Sequence, residues 1–140
     1  MRTAAVTALV FGLTAAGAAQ SYQPEVNFQL NCMGCHQADG SGQAGRVPSL
    51  RRSLVLFSSF AQGRDYVVRV PGVAQSPLSD RDTAALLNWM ARNLSDVALP
   101  AGFTDYSEAE VQRLRHHPLA QVRAERARLM RAVAPASPRP

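Results

Sequence analysis

Cys32-Met33-Gly34-Cys35-His36 is the stretch on which the reading of this chain turns. It holds both of the 2 cysteines in the 140 residues. Thiols three positions apart lie on one side of a helical turn, so a single flat group can be bonded to both. An imidazole follows immediately. C-x-x-C-H is the attachment signature of a c-type haem, in which the sulfurs of Cys32 and Cys35 form thioethers to two vinyl groups. His36 then projects onto the iron as the proximal axial ligand. Three other chemistries compete for the same residues. A disulfide across a two-residue loop closes almost no chain and stabilises little. A thioredoxin-like redox pair calls for a βαβ pattern, which the sequence lacks. A zinc site would draw on Cys32, Cys35 and one of His36, His116 and His117, but no second Cys/His pair stands at finger spacing.

Downstream of the pentapeptide come Ala38-Asp39-Gly40-Ser41-Gly42, then Val47-Pro48-Ser49-Leu50, then Leu78-Ser79-Asp80-Arg81-Asp82 leading into Thr83 to Leu94. Together with the pentapeptide these pieces resemble the monohaem c-type cytochrome family, of the exported bacterial type, over about Tyr22 to Leu94. The resemblance implies an all-α, cytochrome c-like helical fold around one covalently attached haem c. In that family a loop proline beside the haem offers its carbonyl to the proximal histidine, which implies that Pro48 accepts a hydrogen bond from His36. Such a contact fixes the tautomer and the ring orientation.

Local signals fill in the helices. Pro24 suits a first helical position, and the run from Glu25 leads straight into the haem motif, predicting one helix from about Pro24 to Cys35. Asp39 to Gly45 carries three glycines, a loop signal. Leu54 to Phe57 is a short apolar run whose period decides nothing. Asp65 to Val70 alternates poorly, so a short helix stopped by Pro71-Gly72 fits at least as well as a strand. Ser79 or Asp80 caps the next helix, whose buried face is Leu86, Leu87, Met90 and Leu94. Pro100-Ala101-Gly102 breaks the chain. Ser107 with Glu110 makes a capping box for a helix through about His116, and Leu119, Val122, Leu129, Met130 and Val133 mark a final amphipathic helix. The predicted organisation is a cytochrome c domain over residues 20–100, an Arg-rich helical extension over 101–133 and a disordered tail over 134–140.

The second axial ligand is the departure from the family's pattern. The family places a methionine shortly before the Leu-Ser-Asp helix start, but Val70-Pro71-Gly72-Val73-Ala74-Gln75-Ser76-Pro77-Leu78 contains neither Met nor His. Met33 lies within the proximal motif, which leaves Met90 and Met130 among the methionines. Met90, which follows Trp89, is the best-placed candidate for the distal position, although a methionine on a leucine-lined face commonly fills core. His116 and His117 are weaker candidates, because a pair before Pro118 at a helix end reads as a surface feature favoured by the helix dipole.

Composition sets the surroundings. Met1-Arg2 precedes an uncharged, Ala-, Val- and Leu-rich run from Thr3 to Ala19, which predicts a signal peptide over residues 1–19 and a periplasmic destination. That run falls short of the roughly 20 apolar residues of a spanning helix, so no membrane anchor is expected. The remaining chain is small enough to need a cofactor's help to be stable. Its aromatics, 5 Phe, 3 Tyr and 1 Trp, are few for a self-sufficient core. All 15 basic residues are arginines, and they concentrate in Arg113 to Pro140, where seven face the single carboxylate of Glu125. Such a field either steers an acidic redox partner or forms a solvated helix face. Nucleic acid is not expected as a partner, since no base-stacking motif is present.

The expectation is therefore a single-electron carrier, not an enzyme. By resemblance it works beside a periplasmic dehydrogenase with an acidic docking face, or a terminal acceptor. Two alternatives follow from the same residues: a haem protein whose vacant methionine slot leaves iron free to bind a gas or peroxide, and a cytochrome subunit held on a larger enzyme by its basic tail.

Overall fold

The computed structural model describes residues 21–133. The expected signal peptide and the expected disordered tail lie outside the described residues. Eight helices follow one another among the described residues: α1 Pro24–Asn31, α2 Met33–His36, α3 Leu50–Ser58, α4 Ala61–Arg69, α5 Pro71–Ala74, α6 Asp80–Asn93, α7 Glu108–Arg115 and α8 Val122–Val133. No strand occurs among the described residues, as the all-α reading requires. None of these helices is long and apolar enough to cross a membrane.

The frame is α1 against α6, with α3 and α4 packed as a pair beside it. Phe28 of α1 and Trp89 of α6 meet with ring centroids 5.7 Å apart, fixing the first contact. The second depends on Gly63. A Cβ there would run into the backbone carbonyl of Phe57, so α3 and α4 approach at a distance that no other residue permits. The serine caps form as the sequence predicts. The Ser79 side chain accepts the Asp82 N–H at the start of α6, and Ser107 accepts that of Glu110 at the start of α7. The capping box is only half made, because the Glu110 carboxylate turns away to take both arms of the Arg64 guanidinium at 2.8 and 2.6 Å.

The chain beyond Pro100 contributes to the same hydrophobic cluster as the rest. Tyr106, Val111, Leu114 and Leu129 are buried together with Phe28, Phe57, Val68 and Leu87. Tyr106 is fixed twice, by its hydroxyl to the Ser58 Oγ at 2.7 Å and by backbone bonds to the Asn88 side chain.

Two local expectations are corrected. The helix predicted over Pro24–Cys35 is broken at Cys32, where φ is −127° and ψ −36°. Cys32 closes α1 by giving its N–H to the Phe28 carbonyl, and its own carbonyl starts the next turn by accepting from Cys35 and His36. Pro71-Gly72 stops α4, as expected, but also begins a helix. Val70 is extended, and Pro71 takes the first position of α5, the one place in a helix where its missing N–H costs nothing.

Candidate functional site

The break at Cys32 sets the geometry of the pentapeptide. Cys35 N–H and His36 N–H both point to the Cys32 carbonyl, at 3.2 and 2.9 Å, so the two thiols and the imidazole belong to one tight turn. Directly after it Gln37 adopts φ 65°, and the chain leaves the turn at once. It comes back through a loop pinned at both ends: Gly42 N–H bonds the His36 carbonyl at 2.9 Å, and Leu50 N–H bonds the Gly40 carbonyl at 2.8 Å. Gly42 has φ +72° and a Cβ on it would fall 2.5 Å from the Val47 oxygen, so the loop closes only with glycine there. Its product is Pro48, whose carbonyl accepts a hydrogen bond from His36 Nδ1 at 3.1 Å. A carbonyl can only accept. A proton therefore sits on Nδ1, so in the neutral ring it is Nε2 that keeps the lone pair.

Burial dominates the electrostatics of this turn. It pushes the Cys32 thiol up to about 11, with the neighbouring Cys35 adding to the shift. It also lowers the His36 imidazole, partly offset by the bond to Pro48. A neutral thiol is a poor nucleophile and a poor redox catalyst. A neutral imidazole with one nitrogen tied back is what a metal ligand requires. Neither cysteine is in a disulfide. The zinc alternative also finds no support, since no group of three or more His, Cys, Asp or Glu side chains among the described residues is placed to hold a metal ion.

Cys32, Cys35, His36 and Pro48 line a cavity of about 320 Å³, within the range of small-molecule and cofactor sites. Its other walls include Leu54 and Phe57 of α3, Tyr66 and Val67 of α4, Val70 to Val73, Leu87 and Met90 of α6, and Val122 and Arg126 of α8, with Asn31 and Ser53 as polar members. These walls are predominantly apolar. An aromatic macrocycle carrying a metal matches both parts of the donor set: paired sulfurs with a fixed imidazole on one side, and hydrocarbon around the rest.

Of the distal candidates, Met90 alone lies in the cavity, 4% exposed. Met33 and Met130 are on the surface at 37% and 40% exposure. His116 and His117 are exposed at the end of α7 and do not line the cavity, which removes them as ligands. The stretch from Val70 to Val73 does form part of the wall, as hydrocarbon with no ligating side chain.

Arg126, with Tyr66, is the residue that sequence reasoning missed. Its signal was present: Val122, Arg126 and Leu129 stand at i, i+4 and i+7, which places an arginine on the apolar stripe of α8. The basic segment is thus not uniformly a solvated face. Arg115 too is turned inward, donating to the carbonyls of Ala74, Ser76 and Leu78 and to Asp80.

No protein-family model matches the chain. It is similar to cytochrome c-552 of Thermus thermophilus, with 32% identity over 118 residues, covering 70% of this chain and 90% of that protein. The cytochrome c-552 of a particular strain of the same organism is also 32% identical over 118 residues, covering 70% of this chain and 80% of the relative.

Proposed function

The chain belongs to the c-type cytochromes and carries one covalently bound haem c, and on that premise we propose that it is a periplasmic single-electron carrier anchored through Cys32 and Cys35, with His36 as proximal iron ligand. The observation that carries the assignment is the single turn that brings two unpaired thiols and an Nδ1-tied imidazole to the wall of one apolar cavity. When bound, haem supplies a one-electron Fe(II)/Fe(III) couple.

The chain's own residues hold that couple in place and tune it. Cys32 and Cys35, on one helical turn, would hold the group through two thioethers. Pro48 holds the His36 ring in one orientation and one tautomer, which would limit reorganisation on electron transfer. Leu54, Phe57, Val67 and Leu87 exclude water and keep the local dielectric low. That environment disfavours extra positive charge. Met90 is the methionine we assign to the distal position, where a thioether would raise the potential. The outward-facing arginines of the C-terminal segment suit an acidic redox partner, such as a dehydrogenase or a terminal acceptor, through electrostatic steering.

A second reading rests on the hydrocarbon wall at Val70 to Val73, which leaves an open distal position if Met90 is only packing. The two separate by spectroscopy. A low-spin ferric spectrum with a methionine charge-transfer band, lost in Met90→Ala, supports the carrier. A high-spin ferric spectrum and a ready CO adduct support the open site. The core assignment is tested by extraction. Acidified organic solvent should leave the pigment on the wild-type chain and remove it from the Cys32→Ala, Cys35→Ala double variant. Extractable wild-type pigment would overturn it.

A further inference from the structure

We propose that Arg115 latches the hydrocarbon wall at Val70 to Val73 and so decides which small molecules reach the cavity. The inference rests on the haem reading above. That wall is thin. Val70, Pro71, Gly72 and Val73 all line the cavity, and Gly72 is at the same time exposed. A Cβ on Gly72 would meet nothing within 4 Å, so no neighbour stands behind the chain at that point. The wall is also weakly built. α5 is a single turn, and a lone turn does not hold itself together in water. The N–H groups of Val73 and Ala74 share the Val70 carbonyl, each at 2.9 Å, and Gln75 N–H bonds that of Pro71 at 3.0 Å. Pro71 has no N–H to add.

What grips this turn comes from residues 115–119. Before it, the Arg69 carbonyl accepts the Leu119 N–H at 2.9 Å, and Arg69 Nε donates to the His117 carbonyl at 2.7 Å. After it, the Arg115 guanidinium serves the carbonyls of Ala74, Ser76 and Leu78 together with the Asp80 carboxylate. These carbonyls stand at every second residue, so one planar fork spans the stretch where the point charge of an ammonium cannot. Cutting the fork leaves the α4 end of the turn tied and loosens the end toward α6. The wall then swings about Val70, whose backbone is already extended. With the fork in place the wall stays shut to a ligand of imidazole size. The apparent affinity of a molecule that needs the wall open scales with the fraction of chains in which it is open. Arg115 is therefore a positioning residue: it touches neither cofactor nor ligand, and acts through the turn that it holds.

Stopped-flow binding of imidazole and of cyanide to the ferric holoprotein tests this. Arg115→Ala should speed imidazole binding by on the order of tenfold to a hundredfold, the factor for losing one bond from a charged donor, and cyanide binding much less. Both ligands compete with Met90 for the same position, so a weakened distal bond would speed both alike, whereas a loosened wall favours the larger. Arg115→Lys keeps a charge for Asp80 without the fork and should lie nearer the alanine variant than wild type; it carries the test should the alanine variant not fold. Tyr106→Phe removes the bond to Ser58 without touching the cavity wall, and should leave both rates unmoved. Amide exchange at Val73, Ala74 and Gln75 should quicken by a similar factor in the Arg115 variants, a readout that needs no pigment. Imidazole binding unchanged in both Arg115 variants, the two ligands accelerated equally, or Tyr106→Phe matching Arg115→Ala would overturn the proposal. Wild-type protein purified without pigment would end the haem reading itself, whereas pigmented protein with unmoved imidazole binding would end only this one.

Discussion

Replacing Arg115 by alanine should destabilise the holoprotein by about 3 kcal/mol. Arg115 leaves α7 and reaches into the irregular stretch before α6, where its Nε donates to the Ala74 carbonyl at 3.2 Å and Nη2 to that of Ser76 at 2.7 Å. Nη1 serves the Leu78 carbonyl at 2.8 Å and Asp80 Oδ1 at 3.0 Å. Each such bond from a charged donor is worth roughly 1.5–3 kcal/mol in isolation, but they share one side chain and are not additive. The side chains of Arg115 and Asp80 are 11% and 23% exposed, so water could reach only part of what the mutation uncovers. Breaking one partner of a buried pair typically costs about 3–5 kcal/mol, and the residual exposure argues for the lower end. Urea unfolding would read this as a midpoint shift of about 1–3 M with unchanged slope, since a small domain loses about 1–3 kcal/mol per molar. Arg115→Lys keeps a charge for Asp80 but cannot fork to three carbonyls, and should recover less than half. A loss below about 1 kcal/mol in the alanine variant, or a lysine variant equal to wild type, would refute the view that this guanidinium holds the stretch from Ala74 to Asp80.

Gly63→Ala should lower stability by at least about 1–3 kcal/mol in the same assay, because the new Cβ meets the Phe57 backbone and α3 must move off α4. Thr83 Oγ1 is buried without a hydrogen-bond partner, so Thr83→Val should raise the thermal midpoint, by a gain of about 1 kcal/mol; a fall would mean the hydroxyl is satisfied. Burial pushes the Tyr106 hydroxyl up to about 12, against the Ser58 and Arg64 contacts that lower it. The unfolded chain releases this proton near pH 10 while the folded one retains it, so stability should fall between about pH 10 and 12 by about 2–3 kcal/mol. Tyr106→Phe should flatten that slope, which alkaline denaturation profiles would show.

What was legible in the sequence is what local spacing controls. Cys32, Cys35 and His36 could be placed together because a single helical turn sets their separation. Ser79 and Ser107 could be read as caps because a cap reaches only three residues ahead. The break at Cys32 was not legible: apolar periodicity registers a face, and a residue that ends one helix while starting the next leaves that face nearly unchanged. Pro71 reads as a stop because the same ring that ends a helix also begins one, and only the extended Val70 before it decides between them.

The C-terminal arginines show the harder limit. Composition assigns Arg113 to Pro140 one charged field, yet its members divide by partners that lie far away in sequence. Arg115 finds carbonyls near residue 76, Arg128 finds Glu125 on its own helix, and Arg126 finds the wall of the cavity. A charged side chain on the apolar stripe of an amphipathic helix is the one local sign of the difference, since such a position costs desolvation unless something compensates. Applied to α8 between Val122 and Leu129, that criterion selects Arg126 and passes over Arg123 and Arg128, both exposed. The segment outside the family resemblance thereby becomes part of the cavity's construction, and its solvent-facing charge resides in the arginines that remain outside.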